Sequence, residues 1–228
     1  MKHSKTAFLI LIAIMGLSNM VQAQDWAALG HFKEANQNVV PPSEDEDRVV
    51  FMGNSITIGW LNSRPGFFQG KPYINRGISG QTTPQMLLRF RQDVIDLQPK
   101  VVVILAGTND IAGNTGPMTL EQIMDNMQSM AELAHQNNIK VVLSSVLPAF
   151  DYPWRPGLKP NEKIPALNKM IQEYAKANGH IYLDYFSEMV DDRNGLPKKY
   201  AEDEVHPTVE GYKVMEPMVE EAIAKVLK

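Results

Sequence analysis

The chain has 228 residues, 44% of them hydrophobic, with 22 basic and 26 acidic side chains and a formal net charge of −4. It contains no cysteine, which excludes disulfides, a thiolate nucleophile and cysteine-ligated metal. No Lys/Arg-rich run marks a nucleic-acid surface, so nucleic acid is not expected as a partner.

Residues 1–23 read as a secretory signal peptide. Lys2 and Lys5 give a basic start, Ala7 to Met15 is mostly apolar, and Val21-Gln22-Ala23 fits a small-residue cleavage site. The apolar run is too short and broken for a membrane span. With no cysteine beside the cleavage site, a lipid anchor on that residue is not expected, so the expectation is a periplasmic or secreted protein with no stable membrane anchor. About 205 residues then remain, a usual size for one α/β domain. Loss of Lys2 and Lys5 takes the net charge to −6.

Residues 24–47 read as an N-terminal helix followed by an acidic connector. Trp26, Leu29, Phe32 and Ala35 have helical spacing over Asp25 to Val39, Pro41 and Pro42 stop the helix, and Ser43 to Asp47 is solvated. Residues 48–228 read as the main domain. A first strand, Arg48 to Met52, runs into Gly53-Asn54-Ser55. A short second strand, Pro72 to Asn75, leads to Arg76-Gly77-Ile78-Ser79-Gly80. Thr82 or Thr83 caps a helix with Pro84 in its first turn; Met86, Leu87, Phe90, Val94 and Leu97 form its stripe, and Pro99 ends it.

Lys100 to Gly107 is apolar without alternation, as in a parallel strand covered on both faces, and Asn109-Asp110 follows. Thr119 caps a long helix whose buried stripe is Ile123, Met127, Met130, Leu133 and Ala134. A fourth strand spans Ile139 to Val146. A Pro- and aromatic-rich loop, Ala149 to Pro160, precedes a helix over Asn161 to Ala177. His180 to Asp184 is a fifth strand, and the last helix starts near Thr208 with Pro217 expected to kink it. Five strands alternating with helices predict an α/β fold: a three-layer α/β/α, flavodoxin-like domain around a five-stranded parallel sheet.

Ser55 falls at the carboxyl end of the first strand, where open α/β sheets bind ligands. It reads as a nucleophile or as a helix cap. A serine nucleophile needs a base and a group to orient that base. His3 leaves with the signal, and His31, His135 and His180 read as surface or packing residues. His206 lies in a loop returning to the same sheet edge, with Asp203 three residues before it and Pro207 restricting its backbone. Gly80 and Asn109 also follow strand ends and are candidate oxyanion donors. Each of these residues alone reads equally as a turn or cap; their convergence on one edge favours chemistry. There is no H-E-x-x-H, calcium-loop or phosphate-loop pattern, so neither metal nor cofactor is expected. Asp191 to Gly195 reads as a solvated turn.

Gly53-Asn54-Ser55, Gly77-Ile78-Ser79-Gly80-Gln81-Thr82-Thr83, Gly107-Thr108-Asn109-Asp110 and Asp203-Glu204-Val205-His206-Pro207 together resemble the four sequence blocks of the SGNH hydrolases, the GDSL lipase/esterase superfamily. The resemblance runs from about Arg48 onward. It implies Ser55 as nucleophile, His206 as general base, Asp203 as its partner, and an oxyanion hole of the Ser55 N–H, the Gly80 N–H and the Asn109 amide. The family's common Gly-Asp-Ser is Gly-Asn-Ser here, which is expected to alter local hydrogen bonding rather than abolish activity.

The second block is similar to the branch holding the platelet-activating-factor acetylhydrolase catalytic subunits and bacterial acetylesterases. That implies a serine esterase for short acyl, O-acetyl, esters of carbohydrates or small molecules. A lysophospholipase or thioesterase, a non-catalytic carbohydrate-binding module and a nucleotide-binding flavodoxin-like protein are the alternatives; the last lacks the full dinucleotide glycine pattern. Tyr152, Trp154 and Arg155 form a candidate substrate loop, with aromatic faces for a sugar and a cation for an anionic group, or else pack over the core.

Overall fold

A computed structural model describes residues 25–228. The expected signal peptide lies outside the described residues. The elements in chain order are α1 (Lys33–Gln37), β1 (Val49–Gly53), α2 (Ser55–Ser63), α3 (Pro65–Phe68), β2 (Tyr73–Gly77), α4 (Thr83–Asp93), a 3₁₀ turn (Ile95–Leu97), β3 (Val101–Leu105), α5 (Thr108–Ile111), α6 (Leu120–Gln136), β4 (Lys140–Ser144), α7 (Pro160–Ala177), β5 (Ile181–Leu183), α8 (Tyr185–Met189) and α9 (Val209–Leu227).

The five strands form one all-parallel sheet in the order β2-β1-β3-β4-β5. That is the flavodoxin-like order, in which the chain reverses direction across the sheet between β1 and β3 and leaves a crevice there. The three strands that flank this crevice end level: Gly53 pairs with both Gly77 and Leu105.

Every residue of β1 and β3 is buried, as their unbroken apolar sequences require. The pleat sends alternate side chains to opposite faces. Val50, Met52, Val102 and Ile104 pack with α4, α6 and α7 through Met86, Phe90, Ile123, Met127, Ile164 and Ile171. Val49, Phe51, Val101, Val103 and Leu105 pack with α2, α3, α8 and α9 on the other face. There Phe51, Trp60, Phe67, Phe68 and Tyr73 form an aromatic cluster with ring centroids 4.9–6.2 Å apart. Each well-oriented pair of this kind adds about 0.5–1.5 kcal/mol beyond its buried area. Reciprocal side-chain and backbone caps, Thr82 with Gln85 and Thr119 with Gln122, start α4 and α6. α9 runs through Pro217, and no helix among the described residues is long and apolar enough to cross a membrane.

The N-terminal segment differs from the expected helix over Asp25 to Val39. Only Lys33–Gln37 is helical. The Asp25 carboxylate accepts the N–H groups of Leu29 and Gly30, both at 2.8 Å, and Ala28 takes a positive φ of 55°, so the chain turns where apolar spacing alone suggested a helix. His31 accordingly lies in a turn. The segment is fastened to the domain by glutamines: Gln81, Gln85 and Gln92 donate to the carbonyls of Ala27, Trp26 and Leu29.

Candidate active site

Ser55 is the first residue of α2, which leaves β1 after Asn54. The first N–H groups of a helix have no intrahelical acceptor. Asn54 satisfies one of them: its Oδ1 accepts the Ile56 N–H at 3.2 Å. A neutral amide does this without placing a carboxylate in that position, which is buried. The departure from Gly-Asp-Ser thus leaves the cap intact and the Ser55 N–H directed out of the helix start.

The Ser55 Oγ lies 3.0 Å from His206 Nε2, and His206 Nδ1 lies 2.6 Å from Asp203 Oδ2. The second oxygen of Asp203 accepts the backbone N–H groups of Val205 and His206, at 3.0 and 2.7 Å. Burial pulls the Asp203 carboxyl upward. The His206 N–H, the His206 ring and the Val205 N–H outweigh it and hold the group below the ordinary carboxylate value. A carboxylate on Nδ1 fixes the tautomer that leaves Nε2 free to accept a proton.

Two helices bring base and serine together. α9 begins just after His206 and packs along α2: the Tyr212 hydroxyl donates to the Ile56 carbonyl at 2.8 Å, and the Tyr212 and Trp60 rings stack with centroids 5.6 Å apart. Further along, Arg64 forms a two-pronged ion pair with Glu216, 2.8 Å on each prong. The helix carrying the serine is thereby clamped to the helix that follows the histidine.

Gly80 and Asn109 reach the same edge from β2 and β3. The Ile78 N–H donates to the Gly53 carbonyl at 3.2 Å, which presses the second block against the first. The approach is close enough that a Cβ at Gly77 would lie 2.8 Å from the Asn54 carbonyl oxygen. Gly80 has φ +78°, a conformation that L side chains rarely adopt, and its N–H has no acceptor among the described residues. One N–H of the buried Asn109 amide donates to the Gln81 carbonyl at 2.9 Å; the second remains for a ligand, because a primary amide has two. Asp110 anchors α5 by accepting the N–H and hydroxyl of Thr83 at 2.8 and 2.6 Å. Burial pushes its carboxyl up, against those bonds.

The candidate substrate loop divides. Tyr152 is fully buried, its hydroxyl 2.9 Å from that of Thr108, so it is a packing residue and not a substrate contact. Arg155 donates to the carbonyls of Ala112 and Gly113 at 2.7 and 2.6 Å and braces the turn after α5. Only Trp154 faces the site. It is 48% exposed, lies on Tyr152 with ring centroids 5.3 Å apart, and its ring is 5.8 Å from that of His206. Among the described residues no group of three His, Asp or Glu is placed to hold a metal ion.

Sequence reading missed the polar groups beneath this edge, above all Arg89, Asp93 and Asn36. Arg89 and Asp93 are both fully buried. Their i, i+4 spacing was visible, but such pairs ordinarily sit on solvated helix faces.

A serine within hydrogen-bond reach of a histidine, with open N–H donors beside it at the switch point of a parallel sheet, makes a candidate hydrolase-type site on a flavodoxin-like scaffold. The family model of GDSL-like lipases and acylhydrolases matches residues 51–214, and the chain belongs to that family. A GDSL-like lipase from Bacteroides thetaiotaomicron VPI-5482 superposes with a TM-score of 0.85 at 49% identity, over 87% of this chain and 98% of that one. The acetylxylan esterase of Xylanibacter ruminicola is 28% identical over 224 residues, 82% of this chain and 45% of that protein. The uncharacterized lipoprotein YqeF of Bacillus subtilis is 35% identical over 81 residues, 34% of this chain and 33% of that protein. The chain thus spans less than half the length of these two curated relatives.

Proposed function

We propose that this acylhydrolase is an exported serine esterase that removes short acyl groups, O-acetyl above all, from carbohydrates or other small alcohols. The observation that carries the reading is the unbroken line from Asp203 through His206 to Ser55, with contacts of 2.6 and 3.0 Å, within the reach expected of a nucleophile and its base.

In the proposed cycle His206 Nε2 takes the Ser55 proton as Oγ attacks the ester carbonyl. The developing oxyanion is held by the N–H groups of Ser55 and Gly80 and the free N–H of Asn109. Collapse of the tetrahedral intermediate breaks the bond to the alcohol, which leaves with the proton from His206. Water, deprotonated by the same imidazole, then releases the acid and restores Ser55. Asp203 stays ionised throughout and stabilises the imidazolium.

The short-acyl, carbohydrate reading rests on Trp154, whose exposed indole stands beside the base that protonates the leaving alcohol, and on the likeness to an acetylxylan esterase. Export rests on the basic and apolar character of residues 1–23 and the likeness to a lipoprotein, with residues 48–228 as the hydrolase domain. No nucleic acid takes part. The test is a series of p-nitrophenyl esters from acetate to decanoate. Rates that fall with chain length support the reading; a clear rise replaces it with a lipase-like or thioesterase-like one.

A further inference from the structure

Beneath the site, Arg89 of α4 is fully buried and spends its donors on three separate segments. Its Nε donates to the Gln81 side-chain oxygen at 2.5 Å. Nη2 donates to the carbonyls of Gly53 and Arg76 at 3.1 and 2.9 Å, and Nη1 to Asp93 at 2.9 Å. Gly53 ends β1 two residues before Ser55, Arg76 is the penultimate residue of β2 and four residues before Gly80, and the backbone carbonyl of Gln81 receives the Asn109 amide. One planar group therefore touches the strand ends that lead to Ser55 and to Gly80 and, through the Gln81 side chain, the loop residue whose carbonyl holds the Asn109 amide.

We propose that Arg89 is a positioning residue that fixes the relative placement of the three oxyanion donors, Ser55 N–H, Gly80 N–H and the Asn109 amide. The inference rests on the esterase reading above. Arg89 touches no reacting atom itself. An oxyanion hole acts only when its donors stand about 2.7–3.1 Å from the oxyanion, and a displacement of about 1 Å can cost 10²-fold in rate. A buried ion pair by itself is weak grounds for stability; the rigid fork of a guanidinium, which an ammonium cannot reproduce, is what this geometry uses. Asp93 neutralises the fork and is itself held by the Asn36 amide at 2.6 Å.

The experiment compares Arg89→Lys with Asp93→Asn in the full chain, reading kcat and KM on p-nitrophenyl acetate together with Tm. Arg89→Lys is expected to lower kcat by about 10–100-fold with KM within about threefold, the pattern of an interaction made in the transition state. Asp93→Asn, which leaves the contacts to Gly53, Arg76 and Gln81, is expected to lower Tm while kcat stays within about threefold. In a cycle with Asn109→Ala, the two losses are expected to fall well short of multiplying, as for residues acting through one another.

If Arg89→Lys does not fold, Gln81→Met replaces it, with kcat expected to fall at least about fivefold at constant KM. A full kcat in the folded variant, a kcat loss that merely tracks Tm in both variants, or fully multiplicative losses overturns the inference. A wild-type protein that hydrolyses no ester overturns the esterase reading as well. An active wild type, silenced by Ser55→Ala but indifferent to position 89, overturns the positioning role alone.

Discussion

Asp203 grips His206 at two points: Oδ2 sits 2.6 Å from the ring Nδ1, and Oδ1 accepts the His206 backbone N–H at 2.7 Å. The carboxylate thus orients the imidazole and shapes the turn that presents it. Asp203→Asn keeps the size of the side chain but turns a donor or a neutral oxygen toward Nδ1. The expected result is a fall in kcat of up to about 10⁴-fold, the loss seen when the orienting carboxylate of a Ser-His-Asp triad becomes an amide. Steady-state kinetics beside a near-unchanged circular dichroism spectrum checks it.

The same contacts set a pH dependence of stability. Asp203 is held below its ordinary value in the folded chain, so the folded state binds its proton more weakly than the unfolded state does. Its contribution is fully present above the unfolded carboxylate value of about 3.9 and is lost as pH falls toward the depressed folded one. Tm measured from pH 7 down to pH 3 is expected to drop less steeply at the acid end in Asp203→Asn than in the unsubstituted protein.

Asn109 is expected to act on the transition state and not on substrate affinity. Asn109→Ala removes one donor to the oxyanion and leaves the Gln81 carbonyl without its partner. Loss of one such donor costs about 2.7–4 kcal/mol, or 10²–10³ in kcat, with KM nearly constant. A rise in KM at constant kcat would move Asn109 out of the oxyanion hole and into ground-state binding.

Gly77 is needed for close approach. A Cβ there would crowd the Ile58 N–H and lie 2.8 Å from the Asn54 carbonyl oxygen, both in rigid backbone at the start of α2, which carries Ser55. Gly77→Ala is expected to destabilise the fold by about 1–3 kcal/mol, as other overpacked sites do, read as a lower urea midpoint, and to reduce activity further by shifting α2.

Trp154 is expected to carry the alcohol preference. Its indole is fixed from below by Tyr152, which Thr108 anchors next to Asn109, so the platform is rigid relative to the oxyanion donors. Trp154→Ala is expected to lower kcat/KM for an acetylated oligosaccharide relative to ethyl acetate by about tenfold, the worth of roughly 1.4 kcal/mol of stacking. An unchanged ratio would leave the loop a packing feature.

Much of this was legible in the sequence because the signals are local. The unbroken apolar run of β3 and the stripe of Met127 and Met130 in α6 describe burial directly; the second strand, expected to end at Asn75, runs on to Gly77. Ser55, Gly80, Asn109 and His206 could be placed on one edge because in a parallel sheet every strand delivers its carboxyl end to the same side. What stayed hidden depends on tertiary partners. Trp26, Leu29, Phe32 and Ala35 have helical spacing, yet the Asp25 carboxylate, Gln81 and the glutamines of α4 hold that segment in turns. Tyr152 and Trp154 look equivalent as letters, yet Tyr152 packs into the core with its hydroxyl on that of Thr108 while Trp154 is exposed. Arg89 reads as a surface arginine until the Gly53, Arg76 and Gln81 oxygens are seen around it.

The proposed mechanism stands on Ser55 as a nucleophile activated by His206. Its most direct measurement is reaction of the protein with a serine-reactive fluorophosphonate, followed by mass spectrometry of the peptides, with Ser55→Ala and His206→Ala alongside and acetyl-ester hydrolysis measured in each. A single adduct on Ser55, strongly slowed labelling in His206→Ala, and no labelling or hydrolysis in Ser55→Ala are expected. An adduct on another residue, or hydrolysis that survives Ser55→Ala, would contradict the mechanism.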